Sequence, residues 1–188
     1  MAAQYISLGI LLIFSILSFV DGVYIHLLHY RLQEQTASKY EHYLHSLRAL
    51  LFFLILLFIY YFRSSGIWLW IGCFFILFDY IIESIDMFAE KESRQELGGL
   101  PSFEYWLHGT LVMLRSLSLG LWFSSISLSR FNLNDSAMKA HLTGLSSLLI
   151  EQILISTLCV VGLHILLIFR PNALRAIQWQ CCKNEVMK

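Results

Sequence analysis

Acids and imidazoles recur in this sequence at spacings that put them on shared helix faces, inside segments that are otherwise apolar. Asp79, Glu83 and Asp86 follow an i, i+4, i+7 pattern, so one stripe of a helix would present three carboxylates. Glu41 and His45 are four apart, as are Glu104 and His108. Asp21 and His29 fall about 80° apart around a helix, again on one side. Arg48 stands three residues beyond His45 and Arg115 seven beyond His108, so each continues its stripe deeper. His164 lies near the end of the last apolar segment and shares a face with Thr157.

Carboxylates gathered this closely repel one another and take up protons unless positive charge answers them. Arg48 and Arg115 supply only two permanent positive charges. One or two divalent cations would resolve the excess, and mixed Asp/Glu/His ligation suits Fe, Mn or Zn. A structural zinc site, four-coordinate and Cys-rich, does not fit this donor set. Because several of the acids can bridge, two ions are expected. The expected ligands are Asp21, His29, Glu41, His45, Asp79, Glu83, Asp86, Glu104 and His108. Arg48, Arg115 and His164 are expected to support them by ion pairs and hydrogen bonds.

Blander roles compete for some of these side chains. Ser38 to Glu41 fits a capping box, which would occupy Glu41 at a helix start. Glu104 sits in a first turn, where the helix dipole favours an acid. His26 and His42 are expected at lipid headgroups, and Glu151 is expected to bond a neighbouring serine. The whole set resembles the four-helix carboxylate di-metal site in composition and layout, with a departure in spacing. That site uses Glu-x-x-His, whereas Glu41/His45 and Glu104/His108 are i, i+4.

Helices in a membrane must position these groups. The 188 residues are 57% hydrophobic and 14% charged, against about 45–50% and about 25% for a soluble domain. Segments of about 20 apolar residues can span a bilayer. Five qualify: 5–30, 44–62, 67–88, 103–128 and 141–169. The first has no basic n-region or small-residue cleavage site and is read as a span. Met87 to Leu97 is expected as a short surface helix, Ser102 as a cap, and 171–188 as an interfacial tail anchored by Trp179. The fold expected is therefore an all-α integral membrane bundle forming one domain over 1–170. Arg63, Arg130 and Lys139 fall on one side. Arg31, Lys39, Lys91, Arg94, Arg170, Arg175, Lys183 and Lys188 fall on the other. The positive-inside rule then places the N-terminus outside and the C-terminus in the cytoplasm, with a prokaryotic cytoplasmic membrane as the expected location. Cys73, Cys159, Cys181 and Cys182 include no CxxC pair and are expected as free thiols.

The groups of ionisable residues on the five spans then fall in the cytoplasmic half of the bilayer, and the outer half keeps only Glu151, with His141 at its rim. That pattern suits a metal-dependent oxidoreductase or hydrolase acting on a lipid or quinone. Proton or metal-ion transport, a b-type cytochrome and a non-catalytic subunit of a larger membrane complex use the same residues differently. A homo-oligomer is a further expectation. The formal net charge of zero argues against nucleic acid as a partner.

Overall fold

The computed structural model describes residues 2–95, 99–138 and 144–175. Those residues form helices and turns, with no strand beyond an isolated bridge between Ser65 and Ala137. Helix α1 (Ala2–Phe19) runs on as a π-helix over Val20–His29. Helix α2 (Lys39–Ile55) likewise ends in a π-helical stretch, Leu56–Tyr61. Helices α3 (Ile67–Ser93), α4 (Ser102–Ser124) and α5 (Leu145–Phe169) complete the bundle. α1 packs mainly on α4, α2 packs on α3, and α5 closes against α2 and α1.

Among the described residues, four helices are long and apolar enough to cross a membrane: Ala2–His29, Lys39–Tyr61, Ile67–Ser93 and Leu145–Phe169. α4 has the length but not the hydropathy, because it carries Glu104, His108 and Arg115. The polarity of α3 is inverted relative to a soluble helix. Its buried stripe holds Asp79, Glu83, Asp86, Glu90 and Ser93, and its exposed stripe holds Phe74, Leu77, Ile81, Ile85 and Phe88. Apolar side chains exposed in such continuous bands need a non-aqueous surrounding.

One end of the bundle is apolar and tightly joined. Leu8, Leu11, Phe14, Ile59, Leu69 and Trp122 form its core. Ser7 Oγ donates to the Ser118 carbonyl at 2.8 Å, Ser118 Oγ returns a bond to the Ser7 carbonyl at 3.0 Å, and Tyr60 Oη lies 2.9 Å from Ser118 Oγ. Small residues let α1 and α4 approach closely here. The α2–α3 turn docks on the segment after α4. Ser65 N–H donates to the Ala137 carbonyl at 2.9 Å and Gly66 N–H to the Arg130 carbonyl at 2.8 Å. At the opposite end Arg175 donates to Glu34 at 2.6 and 2.8 Å, tying the segment after α5 to the α1–α2 connection.

Several expected boundaries move. α3 continues to Ser93 as a single helix, so no separate surface helix starts at Met87. Ser102 is the first residue of α4, not its cap, and Pro101 precedes it without a side-chain cap. α4 stops at Ser124, before a short 3-10 turn at Leu128–Phe131. Ser38 precedes α2 but makes no cap bond, so the capping box does not form. Cys73 and Cys159 are free. Gly98, Lys139, His141, Trp179, Cys181, Cys182, Lys183 and Lys188 lie outside the described residues, as does most of the expected tail.

Candidate metal centre

The polar half of the bundle is built in two layers. The deeper layer carries the upper part of the α3 stripe. Arg115 donates to both Asp79 and Glu83, and Arg48 donates to Glu83 and, at 3.0 Å, to Asp86 Oδ2. The Arg115 guanidinium also lies 4.3 Å above the Tyr80 ring. Asp79 and Glu83 were expected as metal ligands. Both engage guanidinium groups, Glu83 through both of its oxygens and Asp79 through Oδ2, which leaves Asp79 Oδ1 without a hydrogen-bond partner. Asp86 is shared: Oδ2 faces Arg48 and lies 3.4 Å from His45 Nε2, while Oδ1 has no partner.

The shallower layer gathers side chains from α1, α2, α3 and α4 around His26. His26 is 1% exposed. Its Nε2 lies 3.7 Å from Asp21 Oδ1, 4.0 Å from Glu90 Oε1 and 3.9 Å from Glu104 Oε2. Its ring centroid is 4.2 Å from that of His45 and 5.9 Å from that of His108. His108 sits between two acids, with Nε2 3.2 Å from Asp21 Oδ1 and Nδ1 3.1 Å from Glu90 Oε2. His45 Nε2 is 3.8 Å from Glu41 Oε1.

Arg94 braces this layer from below. It is fully buried, with Nη2 3.1 Å from Glu41 Oε1, 3.2 Å from Glu104 Oε2 and 3.9 Å from Glu90 Oε1. Ser93 donates to Glu41 as well, so the Glu41 carboxylate turns inward, and the Ser38 N–H donates to the Gln35 carbonyl at 3.2 Å. Tyr30 lies under the Arg94 guanidinium at 4.5 Å.

Three groups of side chains could each hold a metal ion: Asp21/His26/His108, His26/Glu41/His45 and His26/Glu90/Glu104. Within each group the ligand atoms lie within 4.8 Å of one another. Atoms about 2.0–2.3 Å from a tetrahedral ion stand about 3.3–3.8 Å apart; the His26–Asp21 separation falls in that range, those to Glu104 and Glu90 lie just beyond it, and all three are too long for direct hydrogen bonds. Both ring nitrogens of His26 lack a hydrogen-bond partner, as do His45 Nε2, Glu41 Oε1 and Glu90 Oε1. Each such buried atom would cost about 1–3 kcal/mol if left unpaired. Across both layers, seven buried carboxylates (Asp21, Glu41, Asp79, Glu83, Asp86, Glu90, Glu104) face three guanidiniums (Arg48, Arg94, Arg115). Two divalent cations would cancel the difference.

The expected set is therefore redrawn. Asp21, Glu41, His45, Glu104 and His108 converge. His29 does not: it is exposed and its ring rests 4.7 Å from Tyr30. His164 does not reach a ligand; it stacks on His42 at 5.3 Å, and its Nδ1 lies 3.3 Å from Ser46 Oγ. His42 and His26 are buried and do not face headgroups. Ser147 donates to Glu151 at 2.7 Å, the serine contact expected for that acid. His26, Glu90 and Arg94 are the added members. Glu90 extends the α3 stripe by four residues beyond Asp86, a signal present in the spacing. No family model, curated protein or solved structure matches this chain.

Proposed function

We propose that this chain is an integral membrane metalloprotein with a dinuclear centre. In this reading all five helices span the membrane, the N-terminus is outside, and the polar layers lie near the cytoplasmic face of a prokaryotic membrane. One observation carries the reading. His26 is buried with both nitrogens unpartnered, and carboxylates from the π-helical stretch after α1, from α3 and from α4 stand 3.7–4.0 Å from its Nε2. Asp21 and His108 would serve one ion and Glu41 and His45 the other, with His26 between them and Glu90 and Glu104 beside it. Arg94 would orient Glu41 and Glu104, and Arg48 and Arg115 would neutralise the acids behind them.

Such a centre would activate a bound water for hydrolysis or, with iron or manganese, support oxidation by oxygen. The protein's own part is to hold seven acids in a dry, shaped site and to admit a lipid-soluble substrate from the side. Transport fits less well, because the other half of the bundle is closed by Leu8, Leu11, Phe14, Ile59 and Trp122. A haem is disfavoured by the 4.2 Å spacing of the His26 and His45 rings, which leaves no room for a macrocycle.

Elemental analysis of the purified protein tests this reading. About two equivalents of iron, manganese or zinc per chain are expected, falling below half in a His26→Ala, Glu90→Gln double variant. Protein that is folded yet metal-free, from cells supplied with all three metals, would overturn it.

A further inference from the structure

Beside the metal centre, α1, α2 and α5 part to leave a cavity of about 380 Å³, within the size range of small-molecule sites. Its mouth is formed by Ile16, Phe19 and Val20, all exposed on the apolar outer surface of α1. Phe14, Phe52, Ile153 and Val160 line the walls. The floor is polar and contains Asp21, His45, Arg48, Asp79 and Arg115. Asp21 and His45 belong to two of the three metal-competent groups, so the cavity ends where the centre begins.

The floor also specifies what it can hold. Arg48 Nε and Asp79 Oδ1 are buried without hydrogen-bond partners and stand 3.9 Å apart. That is too far for a direct bond, and a hydroxyl oxygen about 2.8 Å from each would bridge them from the cavity side once the partly exposed Arg48 side chain shifts to admit it. It would accept from the Arg48 Nε–H and donate to Asp79 Oδ1. A carbonyl or an ether could only accept. An anionic head is unfavourable, because Asp79, Glu83 and Asp86 already outnumber Arg48 and Arg115.

We infer that this cavity binds an uncharged, lipid-soluble alcohol or phenol, its apolar chain entering from the membrane between α1 and α5 and its hydroxyl lodged between Arg48 and Asp79. The ligand class deepens the proposed metal-centre reading and, as substrate, rests on it. The pocket chemistry itself does not depend on bound metal.

Photolabelling of the full chain in nanodiscs tests the inference, using diazirine-bearing hexadecanol, its methyl ether and the same chain ending in a sulfonate. The alcohol is expected to label 12–22 of α1 and 152–160 of α5. The ether and the sulfonate are expected to label these segments about tenfold less. Gly22→Leu and Ser156→Phe should each suppress the alcohol's labelling. Gly22 lines the cavity with open space where a side chain would project, and Ser156 lies at the exposed edge. Equal labelling by the sulfonate, or alcohol labelling that both variants leave unchanged, overturns the inference. Metal content is read on the same samples. Full metal with no cavity labelling defeats the ligand assignment alone, whereas specific labelling of metal-free protein supports it while the dinuclear reading falls.

Discussion

Arg94 has no solvent exposure and engages glutamates from three helices. A buried guanidinium is tolerated only when its charge is answered, and Glu41 and Glu104 accept from its two terminal nitrogens. Truncating it strands both acids in a dry site. Arg94→Met is therefore expected to lower stability by about 3–5 kcal/mol, read as a fall in Tm of the detergent-solubilised protein. Arg94→Lys should recover only part of the loss, since an ammonium cannot reproduce the fork that reaches two carboxylates at once. At this scale the sequence was informative about residue type and less so about partner. The spacing of Asp79, Glu83 and Asp86 announced a polar stripe, and Arg48 and Arg115 were expected as its ion-pair partners, but one-dimensional spacing could not say which acids each would engage.

The same contrast explains His26 at the scale of the element. In an α-helix, residues five apart diverge by about 140°, so Asp21 and His26 read as facing different ways and His29 looked the better companion. Val20–His29 is a π-helix, whose i→i+5 bonding brings residues five apart back to one side. No residue pattern in Val20–His29 marks that winding. α3 presents the simpler case: its stripe continued legibly to Glu90, but the charges after Phe88 suggested a break where the helix in fact persists to Ser93. The α2–α3 turn depends on Gly66, at φ 58° and ψ −134°. A Cβ there would meet Ser136 Oγ at 2.3 Å and Ser136 Cα at 2.7 Å. Gly66→Ala should cost about 1–3 kcal/mol through backbone strain, with the clash added to it. Thermal unfolding is again the measurement, and Ser136→Gly should restore only part of the loss because the strained φ persists.

In the polar half of the bundle, charged groups are inside and apolar ones outside, an arrangement that suits a lipid surrounding. α3, at 27 residues, is about 40 Å long and exceeds a hydrocarbon core of about 30 Å. Its charged end at Lys91–Glu92 would then reach the headgroups and water. The orientation proposed from the charge bias makes a direct prediction. In a background with all four cysteines replaced, Ser129→Cys should react with an impermeant maleimide on intact cells. Glu92→Cys should react only after the membrane is opened. The reverse pattern would place the metal layers on the outer side and reverse the assigned orientation. Both positions are exposed, so labelling reports their side of the membrane and not local burial.

The wide coil at Val20–His29 also sets the tolerance of α1 to insertion and deletion. One residue fewer within it would let the backbone relax to ordinary winding, swinging everything upstream by about 100° relative to His26. Leu8, Leu11 and Phe14 would leave the core, and Ser7 would part from Ser118. A point substitution in this stretch alters one contact, whereas a single-codon deletion would dismantle the packing of the opposite half of the bundle.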